Sequence, residues 1–541
     1  MTSRQRWTLV ATIIGSGVVF LDGTIVNVAL KSIGQQLPAT AMSPFEGQTY
    51  IVSGYLAVLA ALLILSGALS DHYGRRRMYV IGLAGFAATS ALCGLAPTLE
   101  WLVVFRLLQG ATGALLVPGS LSLITHAFDG AARARAFGIW ASATSALTLL
   151  GPIVGGTIVD TIGWRFAFLL NIPFIAAALW ATARHVAESR DTEAEGRFDW
   201  LGAFVAALAI GGLSFGLIRG EQQRWSDTVA WISIAVGIAA LVAFPILMAT
   251  RSHPLVPLGL FRSRAFATIN LATFFVYGAL YGNLIFQGLL LQGILGYTAM
   301  AAGAIGVPAG ILLTVLSARV GTIAGRRGPR GFLLAGPMLM AMGTLWWARI
   351  PVTSVPWRAA ISAPSTLIPP GDVFIDVLPA VLLNGLGISL VVAPLTSTLM
   401  GSIPGRFSGL GSAINNSISR VGQPLLGALI FVAMSAVYYS VLAAGAPTLD
   451  TDSAAVRTAY SPLNPPPTGA TTMQTVASND ASLAAFHLAM LVTASLLITG
   501  GLVSWFGLRE RRRPAGADVV AGAEATAVAN SVAGTEPATS G

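Results

Sequence analysis

From Ala265 to Ala318 the chain runs without a single charged side chain, far longer than the roughly 20 residues that one bilayer crossing needs. We split this stretch at Gly293 to Thr298 into two membrane helices, and the rest of the chain has the same character. Only 10% of residues are charged and 55% are hydrophobic, with a mean hydropathy of +0.74, whereas a soluble domain carries about 25% charged residues. These values exclude a soluble enzyme, a disordered chain and a nucleic-acid binder. They leave an all-α, polytopic membrane protein with the bilayer as its solvent.

Apolar stretches bounded by charge or by Gly and Pro give fourteen expected spans. They lie near 8-30, 48-70, 78-97, 99-125, 136-160, 165-183, 200-218, 228-249, 265-292, 299-318, 331-349, 373-399, 408-440 and 484-507. The first follows Arg4 and Arg6 and continues without a small-residue cleavage site, so it reads as a span and not as a removable signal. An even count puts both termini on one side. With the termini cytoplasmic, 22 of the 31 Lys and Arg fall in cytoplasmic segments, seven face outward, and Arg106 and Arg420 lie within spans. The net charge of +9 is thus read as orientation by the positive-inside rule. Long outward loops are expected at 350-371 and 441-481, and residues 514-541 are expected to form a disordered tail.

Leu107-Leu108-Gln109-Gly110 running to Pro118 has the same order of amide, glycine and proline as Leu382-Leu383-Asn384-Gly385 running to Pro394. Gly74-Arg75-Arg76 pairs with Gly325-Arg326-Arg327, both in cytoplasmic loops. Matching loops on one face imply a parallel repeat of two six-helix bundles. The expected division is an N-terminal bundle over 1-190, two extra helices within 191-264, a C-terminal bundle over 265-513, and the tail.

Ionisable residues inside spans cost at least ~2.5 kcal/mol each at a helix centre, so those retained are functional candidates. Asp22 in the first span is a candidate proton carrier, an interhelical structural acid, or a site for a cationic substrate. Arg106 cannot lose its proton and acts as a fixed charge, with Gln109 on the same helix face. Arg420 stands among Asn415, Asn416 and Gln423 at helical spacing. In the run Gly67 to Arg77 that joins the second and third spans, Gly67, Asp71, Gly74 and Arg75 read as a conformational latch. Gly151, Pro152, Gly155 and Gly156 form a bent, small-residue packing face whose expected partners are Gly303, Gly306 and Gly310. Expected cavity residues are Asn27, Tyr50, Tyr55, Gln109, Tyr277, Tyr281, Phe286, Asn384, Asn416 and Arg420. With one cysteine, Cys93, and no nucleophile-base pair or metal-ligand spacing, no enzyme, metal or cofactor is expected.

These motifs resemble the major facilitator superfamily and its fourteen-helix drug:proton antiporter branch. Leu21-Asp22-Gly23-Thr24-Ile25-Val26-Asn27 resembles that branch's first-helix signature, and Gly67 to Arg77 resembles the gating loop. Arg106 to Gly110 with Gly113 resembles the fourth-helix motif tied to proton transfer, and Gly151-Pro152 with Gly155-Gly156 resembles the antiporter motif of the fifth helix. Lys31, Ser70, His72 and Thr322 depart from those patterns. The resemblance implies a monomeric transporter of the bacterial plasma membrane that exports small amphiphilic drugs or secondary metabolites in exchange for protons. Asp22 and Arg106 would then handle the proton. A proton-linked importer of polar nutrients and a non-transporting sensor are the alternatives.

Overall fold

A computed structural model describes residues 1–189, 199–351, 353–403 and 408–508, and those residues form helices with no strand. The expected tail lies outside them. The chain begins with α1 (Ser3–Gln36), α2 (Pro44–Tyr73), α3 (Arg75–Gly94), α4 (Leu99–Gly113), α5 (Leu116–Ala127), α6 (Gly130–Thr161), α7 (Trp164–Leu169) and α8 (Asn171–His185). Next come α9 (Trp200–Gln222) and α10 (Thr228–Thr250). The remainder is α11 (Arg264–Leu289), α12 (Ala299–Ala304), α13 (Val307–Arg327), α14 (Arg330–Trp347), α15 (Leu378–Gly401), α16 (Ser408–Gly445), α17 (Ala454–Ala459) and α18 (Thr472–Gly507).

Among the described residues, twelve helical segments are long and apolar enough to cross a membrane. The other two expected spans are helical as well: α6, whose apolar part is Ala146–Thr161, and α14.

Backbone groups without water must bond within the protein, and the sequence supplies the means. Thr2, Ser43 and Thr471 cap α1, α2 and α18, each completed by a side chain three residues on: Gln5, Glu46 and Gln474. The expected fourth span breaks at Ala114 and Leu115 into α4 and α5. Pro118 has no N–H to give the Ala114 carbonyl four residues back, and the Ser66 hydroxyl of α2 donates to it instead at 2.7 Å. Outside the spans, Asp227 caps α10. The Val229 N–H and the Arg219 guanidinium hold its carboxyl below the usual carboxylate range.

Helix α1 packs on α2, α5, α6 and α8, while α11 packs on α16 and α18, and α15 on α13 and α14. Between these groups lies α9. The Tyr50 hydroxyl of α2 donates to the Phe215 carbonyl of α9 at 3.1 Å, and Ser214 of α9 donates to the Pro424 carbonyl of α16 at 2.7 Å. α10 packs on α9 and turns Ile232, Val242 and Ile246 outward, 57%, 58% and 60% exposed, an apolar surface suited to lipid.

Both described ends lie on one face. Gln5 donates to the Ala127 carbonyl at the end of α5, while Arg264 and Arg330 donate to the Phe506 and Trp505 carbonyls at the end of α18.

At the opposite face the halves are in contact. The Asp160 carboxylate of α6 accepts the backbone N–H groups of Ala299 and Met300 at 3.1 and 2.8 Å. Gln48 of α2 and Asn464, before α18, exchange reciprocal amide bonds at 3.0 Å. Gly156 lets α6 approach the Ala299 and Met300 backbone, and Gly303 faces the Pro152 carbonyl.

A Gly156→Val side chain would enter the Ala299–Met300 backbone. We expect a loss of about 1–3 kcal/mol, read as a lower melting temperature of the purified protein in detergent. Gly138→Ala, where a methyl meets nothing within 4 Å, should leave that temperature unchanged or raise it.

Candidate functional site

Side chains of α4 and α8 converge on one carboxylate of α1, with α2, α3 and α7 packed around them. Asp22 of α1 is 1% exposed, and its two oxygens share the available donors. Oδ2 accepts Arg106 Nη1 of α4 at 2.6 Å. Oδ1 accepts Gln109 Nε2 at 3.2 Å and Asn171 Nδ2 of α8 at 3.0 Å.

Gln109 lies three residues after Arg106, close to one turn of helix, so its Oε1 also receives Arg106 Nη1, at 2.7 Å. Arg106 Nε donates to the Ile51 carbonyl of α2 at 3.2 Å. The Tyr55 ring of α2 covers the guanidinium at 4.0 Å, with Phe168 at 5.8 Å. Behind the acid, Ser90 of α3 accepts from the amides of Gln109 and Asn171 at 3.3 and 3.0 Å, and its hydroxyl donates to the Phe168 carbonyl at 2.9 Å.

This is a polar network in an apolar bundle, satisfied around the acid but not throughout, since the Tyr55 hydroxyl and Asn171 Oδ1 are buried without a partner. Buried pairs are tolerable only when their remaining hydrogen-bonding capacity is met, and every oxygen of Asp22 is met. The guanidinium keeps its proton at any accessible pH. Loss of the Asp22 charge would therefore leave an uncompensated cation in the bundle.

Sequence reasoning singled out Asp22, Arg106, Gln109 and Tyr55, and the fold brings them together. It missed Ser90, Asn171 and Cys93, whose thiol faces Gln109 Oε1 at 3.6 Å. Asn171 left a readable signal as the one amide in the apolar run 165-183; Ser90 left none.

At the latch, Gly74 has φ +106° between α2 and α3. The first backbone N–H groups of α3 are held by the segment after α8: Arg75 N–H donates to the Ser189 carbonyl at 2.8 Å, and Arg76 and Arg77 N–H donate to the Glu188 carboxylate at 3.1 and 3.0 Å. A carboxylate there also complements the helix dipole. The Asp71 side chain lies outside the described residues. Gly151 and Gly155 pack α6 on Thr24 and Ile25 of α1.

A cavity of about 1250 Å³ opens at the face carrying the chain ends, lined among others by Gly67, Thr125, His253, Asn416 and Arg420. A second space of about 170 Å³ adjoins it, bounded by Phe20, Tyr277, Tyr281, Asn415 and Arg420. Six expected cavity residues are engaged elsewhere. Tyr55 and Gln109 belong to the buried Asp22 network, 2% and 0% exposed. Asn27 donates to the Gly23 carbonyl and Asn384 to the Ala380 carbonyl, each one turn back in its own helix. Tyr50 bonds α9, and Phe286 is 1% exposed with Phe45 at 6.4 Å.

Residues 12–427 match the family model described as Major Facilitator Superfamily. The chain is 32% identical over 441 residues to Multidrug resistance protein Stp of Mycobacterium tuberculosis, covering 81% of this chain and 78% of that protein. It is 32% identical over 428 residues to the Tetracenomycin C resistance and export protein of Streptomyces glaucescens, covering 79% and 76%. In fold it is similar to the inward-facing, unoccupied crystal structure of a bacterial homolog of the human lysosomal transporter Spinster. The TM-score is 0.61 at 17% identity, over 94% of this chain and 97% of that one.

Arg106→Met removes one partner of the buried pair and strands a carboxylate, so it should destabilise the protein by roughly 3–5 kcal/mol. Asp22→Asn combined with Arg106→Met should recover most of that loss. Thermal unfolding of the single and double variants in one detergent measures both.

Proposed function

The chain belongs to the Major Facilitator Superfamily, and from that premise we propose that it exports amphiphilic drugs or secondary metabolites in exchange for protons, by alternating access. The observation that carries this reading is a cavity open at one face and shut at the other, in a chain whose first helix holds a carboxylate only 1% exposed. Resistance and export proteins among the relatives support the direction. We place both termini in the cytoplasm of a bacterial cell on the 22 to 7 distribution of Lys and Arg, which makes the open cavity inward-facing. The working units are a bundle over 1-190, two extra helices within 191-264 and a bundle over 265-513. One chain holds both halves and the cavity, so a monomer suffices.

In this cycle substrate enters from the cytoplasm or inner leaflet, and a proton arriving from outside reaches Asp22. Neutralising Asp22 breaks its pairing with Arg106, and an unpaired buried charge costs several kcal/mol. A proton moving down the membrane potential supplies about 2.3 kcal/mol per 100 mV, the same order. The two terms are matched well enough for the proton to shift α1 between arrangements. Because α1 also presents Phe20 to the smaller cavity, a movement that begins at Asp22 reaches the substrate. The Gly67 to Arg77 segment, where α2 turns at Gly74 into α3, forms the cytoplasmic gate.

Everted vesicles with an acidic interior should release protons when substrate is added, and Asp22→Asn at equal abundance should abolish that release. Persistence of release at the wild-type rate would place the proton elsewhere.

A further inference from the structure

The charges around the cavity are unequal. Arg133 is spent on the Phe128 carbonyl and on Asp129. Asp199 is spent on the backbone N–H groups of Gly202 and Leu255, at 2.8 and 3.0 Å. Asp22 is consumed by Arg106 inside the bundle. Arg420 is different. It borders both the large cavity and the smaller space, its Nε is enclosed with no acceptor, and among the described residues no carboxylate pairs with it.

A guanidinium inside a membrane domain is expensive, and one kept there without a partner marks a ligand site. The rest of the small space has donors of the same kind to offer. The amides of Asn415 and Asn416 donate to Asn270, Thr273 and the Ser412 carbonyl, so they are committed. The hydroxyls of Tyr277 and Tyr281, whose rings lie 6.1 Å apart, have no acceptor among the described residues. One fixed cation and two free hydroxyls thus converge on about 170 Å³, beside a much larger and mainly apolar cavity.

We propose that the transported substrate is an amphiphilic organic anion. Its carboxylate or sulfonate head is held by Arg420, Tyr277 and Tyr281, and its apolar body lies in the large cavity. The inference rests on the export reading and names its substrate class. Charge-assisted bonds from Arg to a carboxylate are short, directional and about twice as strong as neutral ones, so the head supplies specificity while the body supplies apolar contact. Phe20 of α1 closes the head site from the other half, two residues from Asp22, and the proton site and the anion site thereby share a helix.

The test uses three probes with one apolar body: 1-pyrenebutyrate, pyrenebutyl-trimethylammonium and 1-pyrenebutanol, given to everted vesicles carrying the full chain. We expect proton-driven uptake of the anion in preference to the cation. Arg420→Gln should lower anion uptake at least tenfold and leave 1-pyrenebutanol within twofold; Arg420→Lys should fall between, and Tyr281→Phe should lose severalfold. Uptake of the cation but not the anion would overturn the proposal and leave export standing, and so would an equal loss of all three probes in Arg420→Gln. If no probe accumulates, titration of the purified protein by pyrene fluorescence decides. Anion-selective binding that Arg420→Gln removes would sustain the site and contradict export, whereas binding without charge preference would contradict the site.

Discussion

A carboxylate and a guanidinium buried together, each 1% exposed, set the terms for the first half of the molecule. Neither charge could stay in an apolar bundle alone, so the helices around them must bring enough donors and acceptors to one point. That requirement explains why α3, α4 and α8 each contribute a polar side chain there, and why the Ile51 carbonyl and the Tyr55 ring of α2 enclose Arg106. On the proposed reading the same requirement supplies a responsive element: adding one proton to Asp22 would remove the reason for the arrangement while Arg106 keeps its charge.

The two faces are built by different means. On the closed face, contact depends on the absence of side chains: Gly156 and Gly303 let α6 and α12 meet through backbone, with Asp160 bonding the start of α12. On the open face, the helices lining the cavity are separated by space instead of packed. Backbone contact through glycine breaks and reforms without repacking large side chains, which suits a seal that opens once per cycle. Helix α9 touches both α2 and α16 and so bridges the two halves.

Much of this was legible in the chain itself. Charge-free runs located the helices, because in lipid a span needs only length and hydrophobicity to be recognised. Asp22 and Arg106 stood out because their cost makes them rare. Cavity residues were harder to read: a tyrosine in an apolar helix has the same sequence signature whether it lines a cavity, as Tyr281 does, or bonds a neighbouring helix, as Tyr50 does. Asn27 and Asn384 turned back on their own helices, a local bond available to any asparagine that no periodicity reveals. Glu188 lies in a loop far from the arginines it serves, and pairing across that separation exists only once α3 and α8 are side by side.

The central claim is that the protonation state of Asp22 sets which face is open. Spin labels at Gln36 and Thr472 on the closed face and at His126 and Gly401 on the open face would report both separations by pulsed electron spin resonance as pH is varied. The account predicts that in the wild-type sequence the two distances change in opposite directions with pH, and that Asp22→Asn fixes them at the values reached at low pH. Distances in Asp22→Asn that follow pH as the wild type does would contradict it.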